Sequence, residues 1–304
     1  MVQGKPGRRK SRKRVMKREG MWPRNKRCAS LITVNLNAEF FWLQLDPEAE
    51  RMPKTLSMGQ YGMTKGLPRI LDVFDEHGIK GTFFVPGRVA EIYPDRVREI
   101  VKRGHEVANR GYALENMGLL SGEEQRDAIR KGCRAIFDCC GVQPKGFRAP
   151  DGELTLETLR IARECGIFYS SNLSDDDRPY WKRLDFGDDL LEIPIHWAMY
   201  DLPYFAFNYR PAFPKGQGRI AGYAGVLDNW KDEFDGYRRY GLSYVLQIDP
   251  QTIGNPGRTA LLEELIVYMQ RHRDVWFCTG YEMFLHQQSI RPGKDRCTAG
   301  RDEE

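Results

Sequence analysis

The chain has 304 residues, of which 41% are hydrophobic and 29% are charged. This composition is typical of a folded globular protein and excludes a collagen-like chain, a wholly disordered chain and a disulfide scaffold. The length fits two ordinary domains or one α/β barrel. No stretch approaches the ~18 consecutive apolar residues of a membrane-spanning helix, so we expect no membrane span.

The net charge of +5 is unevenly distributed. Residues 1–27 hold twelve Lys or Arg and one acidic residue, Glu19, so the rest of the chain is net negative. We therefore expect no nucleic-acid partner beyond non-specific contacts of this tail. Residues 1–20 are expected to be disordered or to precede a true start at Met21; contact with anionic surfaces is the alternative. Residues 21–288 then form the folded unit, and 289–304 form a polar C-terminal tail.

The seven cysteines are odd in number and irregularly spaced. No apolar segment of the kind found in secretory signals follows the basic residues of the tail. This pattern favours reduced thiols and a cytoplasmic protein.

Short apolar segments alternate with longer amphipathic ones, and they predict strands and helices respectively. Ser121 and Glu124 have capping-box spacing at the start of one helix. In chain order we predict strands at 31–37, 81–85, 146–149, 167–170, 191–194, 244–248 and 275–278, and helices at 67–77, 94–103, 121–140, 155–165, 225–240 and 258–272. The alternation indicates a distorted (β/α) barrel of about seven or eight parallel strands, with a doubly wound open sheet as the alternative.

Residues 175–217 are less regular and rich in Pro, Tyr, Phe and Trp. Long ordered loops within a compact domain are usually functional. We interpret this segment as a loop over the mouth of the barrel, with a subunit-contact loop as the alternative.

Polar residues follow the predicted strands, and the carboxyl ends of the strands form the active-site face of a barrel. The candidates for chemistry are Asn35, Asn37, Glu39, Arg110, Arg148, Asp151 and Asp249. The expected pocket lining is Tyr112, Pro150, Glu153, Asp176, Asp177, His196, Trp197 and Tyr204. His196 and Trp197 are equally expected to serve in packing instead of lining the pocket. Asp176 and Asp177 are equally expected to form a solvated turn. His105, in the sequence Gly-His-Glu, is expected to be a hydrogen-bonded core residue.

Seven segments, in order and at family spacing, resemble the polysaccharide deacetylase (NodB-homology) family. They are TVNLNAEFFW at 33–42, GTFFVPG at 81–87, RGHEVANRGY at 103–112, GFRAP at 146–150, DDRPY at 176–180, LEIP at 191–194 and LQIDPQTIGNP at 246–256. The resemblance covers about 21–286 and is nearest to the branch of peptidoglycan deacetylase-like proteins and metal-independent allantoinases. It implies a distorted (β/α) barrel, hydrolysis of carbon–nitrogen bonds, a carbohydrate or small-molecule ligand and a homo-oligomer.

The family's usual mechanism, as the resemblance implies it, uses one divalent metal held by an Asp and two His. An Asp paired with an Arg acts as base, and a late His protonates the leaving amine. In this sequence the base position is Asn35, the metal positions are Asn37, Arg110 and Leu114, and the late His is replaced by Asp249. Zinc takes thiolate, imidazole or carboxylate ligands, so we expect no metal cofactor. If this assignment is wrong, the zinc ligands would come from Glu39, His105, His196 or Asp249.

The replacements suggest a new set of ion pairs in the mouth. Arg110 would place a permanent cation where the metal charge lies in the family, and Asp249 would be its partner. Arg148 matches the family's Arg, but the carboxylate that pairs with this Arg in the family is replaced by Asn35. Glu39, Asp151 or Glu153 is therefore expected to pair with Arg148.

Three functions remain open from the sequence. The first is a hydrolase of non-peptide carbon–nitrogen bonds, with Glu39 or Asp249 as base and Arg110 or Arg148 stabilising the oxyanion. The second is a pseudoenzyme that binds a sugar, an amide or a small anionic ligand without turnover. The third is an interaction protein that works through its basic tail.

Overall fold

The computed structural model describes residues 20–150, 152–184, 189–206 and 221–291. Predictions for residues 1–19, for Asp151, for 207–217 and for most of the C-terminal tail lie outside the described residues. Within the described part, no helix is long and apolar enough to cross a bilayer.

In the described residues, nine strands form one curved, mostly parallel sheet. They are β1 (Cys28–Asn35), β2 (Thr82–Val85), β3 (Glu106–Asn109), β4 (Gly146–Phe147), β5 (Tyr169–Ser170), β6 (Tyr180–Arg183), β7 (Asp189–Glu192), β8 (Ser243–Ile248) and β9 (Val275–Phe277). Their order is β6-β7-β5-β4-β3-β2-β1-β8, and β9 pairs with the start of β1. The chain after β7 pairs with β8 through Tyr200 and Gln247, which brings the two ends of the sheet together. The predicted distorted (β/α) barrel is therefore confirmed, and the alternative of a doubly wound open sheet is set aside.

Helices surround the sheet. They are α1 (Phe40–Leu45), α2 (Pro53–Tyr61), α3 (Leu67–Glu76), α4 (Gly87–Ile92), α5 (Pro94–Lys102), α6 (Gly122–Cys140), α7 (Leu156–Glu164), α8 (Leu202–Phe205), α9 (Tyr223–Tyr240), α10 (Pro250–Ile253), α11 (Pro256–Gln270) and α12 (Gly280–Ser289). The capping box of Ser121 and Glu124 begins α6 as predicted, and Gly141 ends it with a φ of 73°. A residue without a Cβ takes this left-handed conformation at low cost.

Residues 175–184 and 189–206, the described part of segment 175–217, are more regular than predicted. Besides β7, which matches the strand predicted at 191–194, they contain β6 and α8, and β6 runs antiparallel to β7 in an otherwise parallel sheet. The periodicity of four-residue elements is too short to separate from irregular loop sequence. The helices α1, of six residues, and α2, which is only weakly amphipathic, were also missed.

The barrel interior is apolar near the amino ends of its strands. Alternate residues of the strands point inward, and they pack together with side chains of α12, which closes the amino end of the barrel. Those contributed by strands include Leu31, Phe84, Ala108, Tyr169, Leu191 and Val245. Because this layer is filled, ligand access is restricted to the carboxyl end of the strands.

A buried polar cluster ties α12 to the base of the sheet. The carboxylate of Glu106 accepts hydrogen bonds from the Tyr169 hydroxyl at 2.7 Å, the Thr82 hydroxyl at 2.9 Å and the Tyr281 backbone N–H at 3.0 Å. Burial raises the pKa of Glu106. These three donors satisfy the carboxyl group, so its role is structural.

His105 lies in the core between Phe74 and Phe83, as expected of a structural histidine. Its Nδ1 accepts the backbone N–H of Gly81 at 3.2 Å, which fixes the neutral tautomer with the proton on Nε2. Burial, and then the nearby charge of Lys80, lowers the pKa of His105 to about 4. His105 directly precedes β3, so it lies at the amino end of that strand, away from the mouth. It is therefore excluded as an alternative zinc ligand at the mouth.

Candidate functional site

The carboxyl ends of four strands bring five buried polar side chains together. Asn35 ends β1 and Asn37 follows it, while Arg110, Arg148 and Asp249 directly follow β3, β4 and β8. All five are at most 2% exposed. We call this set the polar mouth.

Arg110, Asn37 and Asp249 form a continuous hydrogen-bonded chain. The Arg110 Nε–H donates to Asn37 Oδ1 at 2.7 Å, and Asn37 Nδ2 donates to Asp249 Oδ1 at 2.7 Å. Arg110 also donates from Nη1 to the Ala149 carbonyl at 2.9 Å. Asn37 thus links the two predicted partners, because its amide presents its oxygen to the Arg110 cation and its NH₂ to the Asp249 carboxylate.

Gln251 is a further partner of Asp249 that the sequence did not single out. Its Nε2 donates to Asp249 Oδ1 at 3.1 Å from the short helix α10. Two glycines of the π-helical turn Gly62–Gly66 allow this helix to approach: a Cβ at Gly62 would lie 2.7 Å from the Gln251 nitrogen, and one at Gly66 would overlap the Pro250 carbonyl.

Arg148 is held by neutral acceptors instead of the expected carboxylates. Its guanidinium donates to the Thr33 hydroxyl at 2.8 Å, to Asn35 Oδ1 at 3.1 Å, and to the carbonyl and hydroxyl of Ser171 at 3.1 and 2.8 Å. The cation also lies 4.1 Å from the centre of the Phe84 ring. Neither Glu39 nor Glu153 provides these acceptors, so our prediction for these two partners is wrong.

Burial, and then the charge of Arg110, lowers the pKa of Arg148 from 12.5 to about 9. The mouth therefore concentrates positive charge in a medium where a guanidinium is poorly solvated. Among the described residues of the mouth, Asp249 is the carboxylate that opposes it.

Asp201 supports Asp249 from behind and was also missed from the sequence. Its two carboxylate oxygens accept the backbone N–H of Asp249 at 3.2 and 3.0 Å. Burial, and then the charge of Asp249, raises the pKa of Asp201 well above its ordinary value, so the fold favours its protonated form. In the sequence, Asp201 precedes Leu202 and Pro203 and resembles an ordinary residue at the start of a helix, so nothing singled it out.

Glu39 is committed elsewhere. It precedes α1, and its Oε2 accepts the Tyr93 hydroxyl at 2.9 Å. Burial, and then the Glu39 charge, raises the pKa of Tyr93. We therefore withdraw Glu39 as the expected base, because its carboxylate binds a side chain next to α5 and none of the mouth residues.

The residues at the three family metal positions do not fit a metal. The Asn37 oxygen is taken by Arg110, Arg110 is itself a cation, and Leu114 lies in the apolar core with a φ of 63°. Within the described ranges, the group whose geometry suits a metal is Glu76, His77 and Glu263. It lies where α3 ends, just before β2 begins, and so at the opposite end of the barrel.

The expected pocket residues do not all lie in one place. Tyr112 and Pro150 lie beside the mouth, with Pro150 buried and the Tyr112 hydroxyl 3.3 Å from Glu91. Glu153 is exposed, and its backbone holds Gly118 and Asn116 in the neighbouring loop. We therefore no longer assign Glu153 to the pocket.

Asp176 and Asp177 are exposed and do not lie at the mouth. Asp176 caps its own turn by accepting the backbone N–H of Asp177 and Arg178. The Asp177 carbonyl accepts the N–H of Ser243, the first residue of β8, whereas Asp249 follows the last. An extended strand rises ~3.3 Å per residue, so about 20 Å separates the two ends. The exposure and the turn contacts of this pair fit the solvated-turn alternative, and its part in a pocket stays a prediction.

His196, Trp197 and Tyr204 belong to the segment that joins β7 to α8. The His196 and Trp197 rings stack at 3.9 Å, and Trp197 is 67% exposed. His196 Nδ1 accepts the Ala198 N–H, and the Tyr204 hydroxyl donates to the Ala198 carbonyl. These contacts stabilise the segment, and their part in a pocket stays a prediction.

A cavity of about 470 Å³ lies next to the mouth, between α1, α2, α8, α10 and α11. Its volume is in the range of small-molecule sites. The described lining is Phe41, Trp42, Ser57, Met58, Tyr61, Leu202, Phe205, Ala206, Gln251, Thr252, Asn255 and Arg258. Gln251 connects the cavity to the mouth, since it contacts Asp249 and lines the cavity at the same time.

Comparisons with known proteins show the family to which this sequence and fold belong. The family model for polysaccharide deacetylase matches residues 58–170. A solved structure assigned as a polysaccharide deacetylase from Mycobacterium smegmatis is 34% identical, with a TM-score of 0.83, and the match covers 93% of this chain and 97% of that one. The chain belongs to the polysaccharide deacetylase family.

One further relative and one structural neighbour are similar over most of the chain. The peptidoglycan deacetylase of Helicobacter pylori is 27% identical over 275 residues, covering 82% of this chain and 92% of the relative. A crystal structure of an allantoinase shares the fold at 24% identity and a TM-score of 0.77, over 90% of this chain and 95% of that one. The recognition made from the seven motifs is therefore confirmed.

Proposed function

We propose that this deacetylase-family protein binds an N-acylated carbohydrate or small amide at its polar mouth and does not carry out metal-assisted deacetylation. The observation that carries the proposal is the chain from Arg110 through Asn37 to Asp249. It fills the family's metal position with a guanidinium and an amide, neither of which is a zinc ligand.

The acid–base groups of the mouth also favour binding over turnover. A general base must reach the proton it removes, and its carboxylate must be basic enough to take it. Asp249 Oδ1 accepts amide hydrogen bonds from both Asn37 and Gln251, so this oxygen is engaged by the protein instead of a ligand proton. Glu39, the other expected base, is bound to Tyr93.

The same arrangement suits a neutral or anionic acyl group. Arg110 and Arg148 are both buried, so their positive potential is weakly screened. A ligand carbonyl or carboxylate entering from the carboxyl end of the strands would meet this potential directly.

The second candidate is hydrolysis without a metal. The observation that favours it is that Asp249 and two guanidinium groups occur in one mouth, as a base and oxyanion-stabilising groups would. It makes different predictions from the first, so one experiment separates the two.

The test is a deacetylation assay with tetra-N-acetylchitotetraose, followed by mass spectrometry, with added zinc, added cobalt or added chelator. We expect no loss of acetyl groups under any condition and saturable binding of the oligosaccharide or of a small N-acyl compound by calorimetry. Loss of acetyl groups only with metal would refute the proposal. Loss that persists in chelator and disappears in Asp249→Asn would establish the metal-free hydrolase.

A further inference from the structure

A cluster of three potential metal ligands lies at the amino end of the barrel, away from the polar mouth. Glu76 and His77 stand at the end of α3, and Glu263 lies in the middle of α11, 186 residues after His77. Each side chain offers one ligand atom, and these three atoms all lie within 4.8 Å of one another. His77 and Glu263 are partly buried and Glu76 is exposed, so an ion can reach the cluster from solvent. We call these three residues the amino-end cluster.

The spacing of His77 and Glu263 is close to that of two ligands on one metal ion. His77 Nε2 lies 3.2 Å from Glu263 Oε1. Zinc binds nitrogen and oxygen ligands at about 2.0–2.2 Å, and a tetrahedral angle then separates two ligand atoms by about 3.3–3.5 Å. An ion can therefore enter between these two side chains after a small shift. Glu76 adds the third ligand by rotation of its exposed side chain.

The backbone that carries these ligands is held in place. Gly78 has a φ of 62°, and its N–H donates to the Asp75 carbonyl at 3.1 Å, as in a Schellman motif. The carbonyl of His77 accepts the Nε2–H of Gln270, which belongs to α11, at 2.8 Å. Both helices also bury apolar side chains in the same core. Because the two supports are already fixed, little conformational entropy is lost when an ion joins them.

The charges around the cluster favour a cation. The carboxyl end of a helix carries about half a negative charge, and the last turn of α3 holds no basic residue to offset it. Arg103 lies near this turn, but it binds the carboxylates of Asp72 and Asp75 at 2.8 and 2.9 Å. Glu76 and Glu263 therefore add two negative charges that Arg103 does not compensate. A divalent cation would balance them.

The kinds of ligand select the ion. Calcium and magnesium prefer oxygen ligands, whereas zinc accepts imidazole and carboxylate together. We propose that Glu76, His77 and Glu263 form a zinc site that joins α3 to α11 and leaves the fourth tetrahedral position to water. The site lies at the opposite end of the barrel from Arg110 and Asp249, so it does not depend on the proposed function of the mouth. Zinc that binds the folded cluster and not the unfolded chain stabilises the barrel.

The test is calorimetric titration of zinc into the full chain, purified without a histidine tag, stripped of metal by chelator and kept reduced with a phosphine. His77→Ala removes the imidazole, and Glu263→Gln keeps the size of the side chain but removes its charge. The matched control, His196→Gln, removes a histidine that follows the carboxyl end of β7. We expect each cluster variant to weaken zinc binding by about 100-fold, the share of one ligand in a protein zinc site, and the control to leave it unchanged.

Thermal melts give a second readout. Excess zinc should raise the Tm of wild type and of His196→Gln but not that of His77→Ala, and melts without zinc verify that each variant folds. The inference is overturned if wild type binds no zinc, or if both cluster variants bind zinc as wild type does. It is also overturned if binding is lost in His196→Gln and retained in His77→Ala. That last result would place the metal at the mouth and refute the proposed function as well, whereas the first two leave the proposed function standing.

Discussion

The substitution Asn37→Asp tests the bridged arrangement of the mouth most sharply. Asn37 donates to Asp249 and accepts from Arg110, each at 2.7 Å. An aspartate keeps the acceptor for Arg110 but replaces the donor with a second carboxylate oxygen. Unless one carboxyl takes up a proton, two like charges then face each other in a buried site.

The size of the effect follows from these contacts. At an effective dielectric constant of about 20, two unit charges at this separation interact by about 6 kcal/mol. Repulsion by Asp249 and attraction by Arg110 are of similar size and largely cancel. The lost hydrogen bond to a charged acceptor remains, and it is worth about 1.5–3 kcal/mol. We therefore expect Asn37→Asp to lower the free energy of unfolding by about 2 kcal/mol at about pH 8.

The pH dependence gives the sign of the interaction. The two coulombic contributions largely cancel, so burial of the second carboxylate decides the sign. Burial makes the new carboxyl pair bind a proton more tightly in the folded protein than in the unfolded chain, so the loss of stability should grow as pH rises and shrink as pH falls. The double variant Asn37→Asp with Asp249→Asn restores one carboxylate and one amide, and it should recover most of the loss. Urea unfolding under reducing conditions over a pH series measures both effects.

Asn35→Asp is the matched control. It makes the same change two residues away, but beside the cation of Arg148 at 3.1 Å. Its carboxylate should be favoured in the folded state, so any stabilisation it provides should decrease as pH falls, the opposite slope. Equal pH slopes for the two single variants, or no recovery in the double variant, would refute the bridged geometry.

Three further predictions concern the scaffold. The pKa of His105 is about 4 against an ordinary 6.5, so the wild type should lose up to about 3 kcal/mol as pH falls through this window, and His105→Gln should flatten that part of the urea-unfolding profile. Glu106→Gln should lower the free energy of unfolding by about 1–3 kcal/mol because it leaves donors of the α12 cluster unmatched, whereas Glu124→Gln on the surface should cost less; equal losses would contradict the structural role. Gly66→Ala should destabilise by about 1–3 kcal/mol through overlap with Pro250, while Gly225→Ala, with open space around its Cβ, should stabilise by about 0.5–1 kcal/mol in thermal melts.

The barrel was predictable from the sequence because its strands and longer helices are strongly periodic. Residues 122–140 and 223–240, for example, show the helical spacing of apolar residues over four or more turns. The antiparallel strand β6 and the short helices around the cavity were missed, since they are short and lie in irregular, aromatic-rich or weakly amphipathic sequence.

The site was predictable only in part. The positions of Asn37, Arg110, Arg148 and Asp249 follow from strand ends, and the structure gathers all four. Their partners do not follow, because hydrogen-bond pairing depends on side-chain orientation across strands that are distant in sequence. Asp201 and Gln251 belong to this second class, and so does the assignment of Arg148 to neutral acceptors.

Asp176 and Asp177 show a different limit. Their match to a family motif suggested a pocket loop, but a motif specifies a position along the chain and not the end of the barrel that the loop reaches. Asp177 contacts the first residue of β8, whereas Tyr180 pairs with the last residue of β7, and neither contact can be inferred from the motif.

The metal content of the purified protein tests the central claim most directly. Elemental mass spectrometry should be performed on protein prepared without chelator and without a histidine tag, after incubation with zinc, cobalt or nickel and removal of free metal. Because amide, guanidinium and isobutyl groups occupy the three family positions, we expect no bound metal that depends on Asn37, and any metal held by Glu76, His77 and Glu263 should be lost in His77→Ala. Close to one equivalent in wild type, lost in Asn37→Ala and retained in His77→Ala, would contradict the account.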